Sequence, residues 1–217
     1  HVTQPLDHVA RALDLSTEEA MTLLHDAKRK LYQARIKRQP PILDDKVISA
    51  WNGLMISAFA KGSAVLERDD YLENAEKAAS FVMDKLWDGN RLGRAWHGDK
   101  VRYDDYLDDY AFMIAGLLDL YEVSQNKQWF DAALTLQNVL DDRFSDVVGG
   151  YFFVSKDNDT LLARDKPDYD GAIPAGNSVA VLNLMRMHLL TGDSRYEVLG
   201  RKVLTSFGQT LTRAGRA

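Results

Sequence analysis

Four aspartates stand within six residues, at Asp104, Asp105, Asp108 and Asp109, and an apolar run from Tyr110 to Leu118 follows at once. Carboxylates so placed can do two things. Aspartate is favoured at helix N-termini, where free N–H groups and the helix dipole stabilise negative charge. Paired carboxylates can also act as general acid and base, as in glycoside hydrolysis, where two of them flank the scissile bond. Capping accounts for Asp104 and Asp105. It does not account for Asp109, because a carboxylate on an internal helix must be paired, hydrated in a cavity or functional. Asp105 and Asp109 are spaced i,i+4, which on a helix puts them on one face, and their repulsion can raise one pKa. Asp109 and Asp105 are therefore acid/base candidates.

Further candidates lie at the starts of two other apolar segments. Asp44, Asp45 and Lys46 precede the first, and Asp45 is read as an acid near a helix start. Trp51 offers a flat face for a sugar ring. Asn52, Tyr110 and Asn177 offer donors and acceptors for hydroxyls. The stretch "KPDYDGAIPAGNS" supplies Asp170 and Asn177 from a loop shaped by glycine and proline. Of the five histidines only His97 falls on a link between helices. No two histidines have metal-ligand spacing, so neither a metal nor another cofactor is predicted. There is no cysteine, which excludes disulfides and thiolate chemistry within these residues. Neither a Ser/His/Asp triad nor a phosphate-cradling glycine loop is present.

The elements that must position these residues repeat. Segments at about 51–88, 109–146 and 176–211 each read as a helix, a short polar turn, an aromatic residue (Tyr71, Trp129, Tyr196) and a second helix. The leading helix is apolar all round and so buried all round. The trailing one is amphipathic, with one wet side. Alternating buried and half-exposed helices predict an inner and an outer ring: an all-α fold, an arc of an (α/α)6 toroid, with residues 1–217 as a single helical domain. The links "WDGNRLGRAWHGD" and "FSDVVGGYFFVSKD" read as short β-hairpins capping one end. A preceding helix over about Thr17–Lys37 carries a capping box at Ser16 and Glu19 and stops before Pro40-Pro41. Its basic stretch reads as a solvated face.

Net charge is −5, which argues against nucleic acid as a partner. No apolar run approaches the ~20 residues that span a bilayer, so no membrane partner is expected. A cytoplasmic location fits. The first residue is His1 rather than Met, and the chain reads as part of something longer.

The stretches "RQPPILDDKVISAWNGLMISAFA", "LDDYAFMIAGLLDLYE" and "DYDGAIPAGNSVAVLNLMRMHLLTG" resemble the helical region of the YyaL/spermatogenesis-associated protein 20 family. That resemblance implies a thioredoxin-like domain followed by a six-hairpin toroid, similar to those of N-acylglucosamine 2-epimerases and several glycosidases. Two departures matter. The thioredoxin-like domain is absent here, so it would be a partner within a parent chain. Three hairpins and an extra helix are present instead of six hairpins. Two functions remain open: sugar hydrolysis or epimerisation at the toroid mouth, or a non-catalytic module that binds a small molecule or protein. An incomplete ring also exposes inner-helix flanks, which predicts self-association.

Overall fold

The computed structural model describes residues 4–157 and 164–213. They fall into two compact units, His1–Asp44 and Asp45–Ala217. The first unit holds α1 (Leu6–Ala12) and α2 (Thr17–Arg35). Ser16 caps α2 as its sequence predicts: its hydroxyl accepts the Glu19 N–H and the Glu19 carboxylate accepts the Ser16 N–H. The helix ends at Arg35, two residues before the predicted stop.

The second unit runs β1 (Val47–Ile48), α3 (Ser49–Leu66), α4 (Asp69–Lys85), β2 (Ala95–His97), β3 (Lys100–Arg102), α5 (Leu107–Ser124), α6 (Lys127–Phe144), α7 (Gly176–Thr191), α8 (Ser194–Ser206) and α9 (Gly208–Arg213). The leading helices α3, α5 and α7 lie side by side, and each packs against its own trailing helix α4, α6 or α8. This is the all-α toroid arrangement read from the sequence. Hydrophobicity sets the rows. The inner helix α5 is buried from Leu107 to Leu120 except at Asp108 and Ala115. In α6, by contrast, Ala133, Leu136 and Leu140 are buried while Asp131 and Thr135 face water. Each inner helix stops at a left-handed residue: Glu67 (φ 53°), Gln125 (φ 57°) and Gly192 (φ 71°).

Two glycines set the spacing of α3 and α5. A Cβ on Gly53 would lie 2.4 Å from the Phe112 carbonyl carbon, and one on Gly116 would lie 2.5 Å from the Gly53 carbonyl oxygen. The two backbones are in direct contact. At the start of α7, a Cβ on Gly176 would meet Asp108 and Leu107 at 2.6 Å each.

The links return to the hairpins they leave. β2 and β3 form the predicted hairpin, turning on Gly98 (φ 55°) and Asp99 (φ 59°), both left-handed as a two-residue turn of this kind requires. β1, which enters α3, adds a third antiparallel strand through Val47↔Trp96 and Ile48↔Ala95. The second link repeats the pattern in smaller form: Val154 bridges Tyr106, and the Leu107 N–H donates to the Phe153 carbonyl at 2.8 Å. The predicted hairpin over 144–157 is reduced to a single antiparallel bridge, Ser145↔Tyr151, beside which the Phe152 N–H donates to the Phe144 carbonyl at 2.8 Å. Among the described residues no helix is long and apolar enough to cross a membrane.

Candidate functional site

Asp109 lies in the first turn of α5 and is fully buried. Its carboxylate accepts the N–H of Ala50, in the first turn of α3, at 3.2 Å, and pairs with the Arg94 guanidinium at 3.2 Å. Arg94 comes from the first link and lies over the Tyr106 ring at 4.7 Å. Burial pushes the Asp109 carboxyl up to about 7, against the opposing pull of Arg94 and the Ala50 N–H. Its neighbour Asp108 projects about 100° around the helix. Asp108 is half-buried, and one of its oxygens is buried without a hydrogen-bond partner. Burial raises this carboxyl as well, while Arg94 and the Gly176 N–H lower it. Two acids that are costly to ionise thus share one arginine where three inner helices begin.

Asp105 departs from its expected place. It is buried in the left-handed region (φ 51°), ahead of α5, and the N-cap position is Tyr106, which has no side-chain cap. Asp105 pairs with Arg91 at 2.6 Å and Arg143 at 3.3 Å, and accepts the Ser155 hydroxyl at 3.3 Å. Arg143 also holds Asp157 at 2.7 Å. Asp105 therefore ties the two links together and does not share a helix face with Asp109. Asp104 sits on Arg102 at 2.7 Å. Neither aspartate caps the helix as expected.

Asp45 pairs with His97 at 2.7 Å, and both side chains are more than half exposed. Trp51 is exposed in the first turn of α3. Asn52 donates back to the Ile48 carbonyl at 2.9 Å. Tyr110 and Asn177, buried on successive inner helices, hold the link that precedes each. The Tyr110 hydroxyl accepts the Leu92 N–H at 2.8 Å, and the Asn177 carbonyl accepts the Tyr151 N–H at 2.8 Å. Asn177 also donates to the Tyr151 and Pro167 carbonyls, both at 2.9 Å. Asp170 shapes the loop into α7 by accepting the Ala175 N–H at 2.7 Å. A cleft of about 230 Å³ opens elsewhere, beside Val181, Val203 and Phe207, with Asn177 on its wall.

Sequence reasoning missed a second charged group. Asp119 on α5 is 3 % exposed, accepts the Ser57 hydroxyl, and pairs with Lys61 of α3 and Arg186 of α7, both at 2.8 Å. Arg186 also reaches Glu122 at 2.8 Å. A signal existed: Asp119 interrupts an otherwise apolar helix.

Over 98 % of its length the chain is 38 % identical to spermatogenesis-associated protein 20 of Homo sapiens, and 37 % identical to that of Rattus norvegicus. The chain is a relative of spermatogenesis-associated protein 20. It spans 28 % of the length of those proteins. No family model matches it. Solved structures bear out the fold. A GH76 alpha-mannanase of Bacteroides thetaiotaomicron superposes with a TM-score of 0.61 at 15 % identity, over 78 % of this chain and 46 % of that one. The cellobiose 2-epimerase of Spirochaeta thermophila superposes at 0.60 with 20 % identity, over 75 % of this chain and 43 % of that one. At such identities the likeness is one of architecture.

Proposed function

We propose that this chain is part of a carbohydrate-active toroid, and that its chemistry belongs to the acids at the N-terminal ends of the inner helices. The observation that carries this reading is the Asp108–Asp109 pair around Arg94. Both carboxyls are pushed upward by burial, Asp109 to about 7. A carboxyl that keeps its proton near neutral pH can donate it to a leaving oxygen, while an ionised partner activates water or attacks the sugar carbon. Asp108, half-buried, is the more accessible proton donor. Asp109, fully buried beside Arg94, supports it from behind and does not itself reach a ligand. Trp51, exposed and next in sequence to the Ala50 whose N–H Asp109 accepts, offers a stacking face. Asp105 and Asp45 lie outside this pair, each engaged with its own cationic or histidine partner. Hydrolysis and epimerisation both call on such a proton-transfer group, and the reading covers both. The fold of the mannanase and epimerase neighbours supports a sugar as the ligand class.

The test is a thermal-shift screen with mono- and disaccharides and sugar phosphates, run on the chain and on Asp108→Asn and Asp109→Asn. A rise in melting temperature with one sugar class, reduced in both variants, is expected. No shift with any sugar would sink the reading.

A second reading is a non-catalytic module that binds a small molecule or protein beside a thioredoxin-like domain. It is favoured by the commitment of Tyr110, Asn177 and Asp105 to internal hydrogen bonds. Sugar binding without turnover of any glycoside would select it.

A further inference from the structure

The first two helical hairpins are closed by matching triplets of residues in their links. In the first, the Tyr110 hydroxyl accepts the Leu92 N–H at 2.8 Å, the Gly93 N–H donates to the Leu86 carbonyl at 2.8 Å, and the Arg94 carbonyl accepts the Ser49 N–H at 2.9 Å. In the second, the Asn177 side chain accepts the Tyr151 N–H at 2.8 Å, the Phe152 N–H donates to the Phe144 carbonyl at 2.8 Å, and the Phe153 carbonyl accepts the Leu107 N–H at 2.8 Å. Leu92 and Tyr151, which open the triplets, are both buried. Each triplet thus joins the end of an outer helix to the start of its own inner helix, and the next inner helix holds it from the other side.

Among the described residues the third hairpin has a seat for such a triplet and nothing in it. Tyr71, Trp129 and Tyr196 set the register of the outer helices. In that register Leu204 stands where Ala79 and Gln137 stand, and Leu211 stands where Leu86 and Phe144 stand. Those four counterparts are 0 % exposed, whereas Leu204 is 44 % and Leu211 51 % exposed. Both leucines line the cleft of about 230 Å³, with Val181 and Phe207 beside them. The outer helix reaches Leu211 because the Phe207 N–H donates to Val203 and the Leu211 N–H to Phe207, carrying α8 on into α9. Pro174 stands in register with Ser49 and Leu107 and has no N–H to give. Here the Thr210 hydroxyl donates to Asp168 at 2.7 Å instead, tying α9 to the loop that enters α7. The walls of the cleft are therefore held in place without an occupant.

We propose that this cleft is the seat of a third link, the segment that follows α9 in a longer parent protein. A large apolar side chain fills the space between Val181, Phe207 and Leu211, and the N–H of the residue after it donates to the Leu211 carbonyl. Two further facts favour a covalently attached occupant. α9 ends at Arg213, directly beyond the cleft-lining Leu211. The chain also spans only 28 % of the length of human spermatogenesis-associated protein 20.

The experiment places the photo-crosslinker p-benzoylphenylalanine at Leu211 of the full-length parent protein, with Val65 on α3 as the control position, and maps the products by peptide mass spectrometry. An aromatic side chain suits the site, since Phe144 fills the equivalent one. Cross-links from position 211 to the stretch between α9 and the next helix are expected, and none to that stretch from position 65. Cross-links from 211 to a helix of a following hairpin, or to a second copy of the protein, would overturn the proposal. So would reaction with solvent alone. Leu211→Asp gives a second reading by thermal unfolding: it should lower the melting temperature of the parent protein clearly more than that of the 217-residue chain. Equal shifts in the two would also overturn the proposal.

Discussion

The carboxylate of Asp109 accepts the backbone N–H of Ala50 at 3.2 Å, so the first turn of one inner helix is capped by a side chain from the next. That bond joins residues 59 positions apart and places an acid between two packed helices. Its environment gives a pH signature. Burial pushes the native carboxyl up to about 7 from the ordinary 3.8, so the folded chain binds more protons than the unfolded chain between those values. Stability should therefore fall as pH rises through that window and level off above it. Asp109→Asn should flatten this slope. Urea unfolding of both proteins at several pH values from about 4 to 8 is the check, and parallel slopes would contradict the assignment.

Gly53→Ala should destabilise the fold. An alanine in an exposed helix normally gains about 1 kcal/mol over glycine. Here the added methyl would sit 2.4 Å from the Phe112 backbone, so α3 and α5 must separate. A net loss of about 1–3 kcal/mol is expected from overpacking. Thermal denaturation reads it as a lower midpoint. A midpoint equal to or above that of the parent would mean the helices are not held at this distance.

Asp105→Ala should cost more than an exposed ion pair would. It removes the shared partner of Arg91 and Arg143, and the Arg143 side chain is only 8 % exposed. Breaking a buried pair costs about 3–5 kcal/mol, and Asp157, which also pairs with Arg143, should hold the loss to the lower part of that range. Because Asp105 is left-handed, Asp105→Asn keeps a residue that tolerates that backbone and isolates the charge. Chemical denaturation of the two variants separates the terms: the asparagine variant should be the more stable.

The flanks of the inner row should make the isolated chain self-associate. α5 has an inner helix on both sides, whereas among the described residues α3 and α7 pack beside only one. Met55 and Leu66 on α3, and Leu182 and Leu189 on α7, are more than half exposed. Light scattering over a concentration series should show growth in mass, reduced by Leu182→Glu with Leu189→Glu. A single mass at all concentrations would count against it.

The hairpins and the first link were legible because their signals are local: apolar period, polar turn, glycine. Asp109 was legible for the same reason, as a charge set against an apolar helix. Its partner Arg94 was not, since nothing in the spacing of residues 94 and 109 marks a contact made through a link that doubles back. Asp105 misled because an aspartate just ahead of a helix carries the same local signature whether it caps the helix or turns away in the left-handed region. Tyr110 and Asn177 read as ligand contacts because polar groups at inner-helix starts suit either task. Only the third dimension assigns their hydrogen bonds to the links.

The return of each link to the strand or turn that opened its hairpin has a consequence for engineering. β2 pairs with β1 across the whole of α3 and α4, and Phe153 pairs with Leu107 across α5 and α6. Each of the first two hairpins is thus closed by its own trailing link, and that link is also gripped by the next inner helix through Tyr110 or Asn177. A cut at the tip of a helical turn leaves both closures intact, whereas a cut inside a link opens two hairpins at once. Circular permutants, split versions and domain insertions should therefore enter at Glu67–Arg68 or Gln125–Asn126. A library that shuffles hairpins between relatives must move each one together with the link behind it.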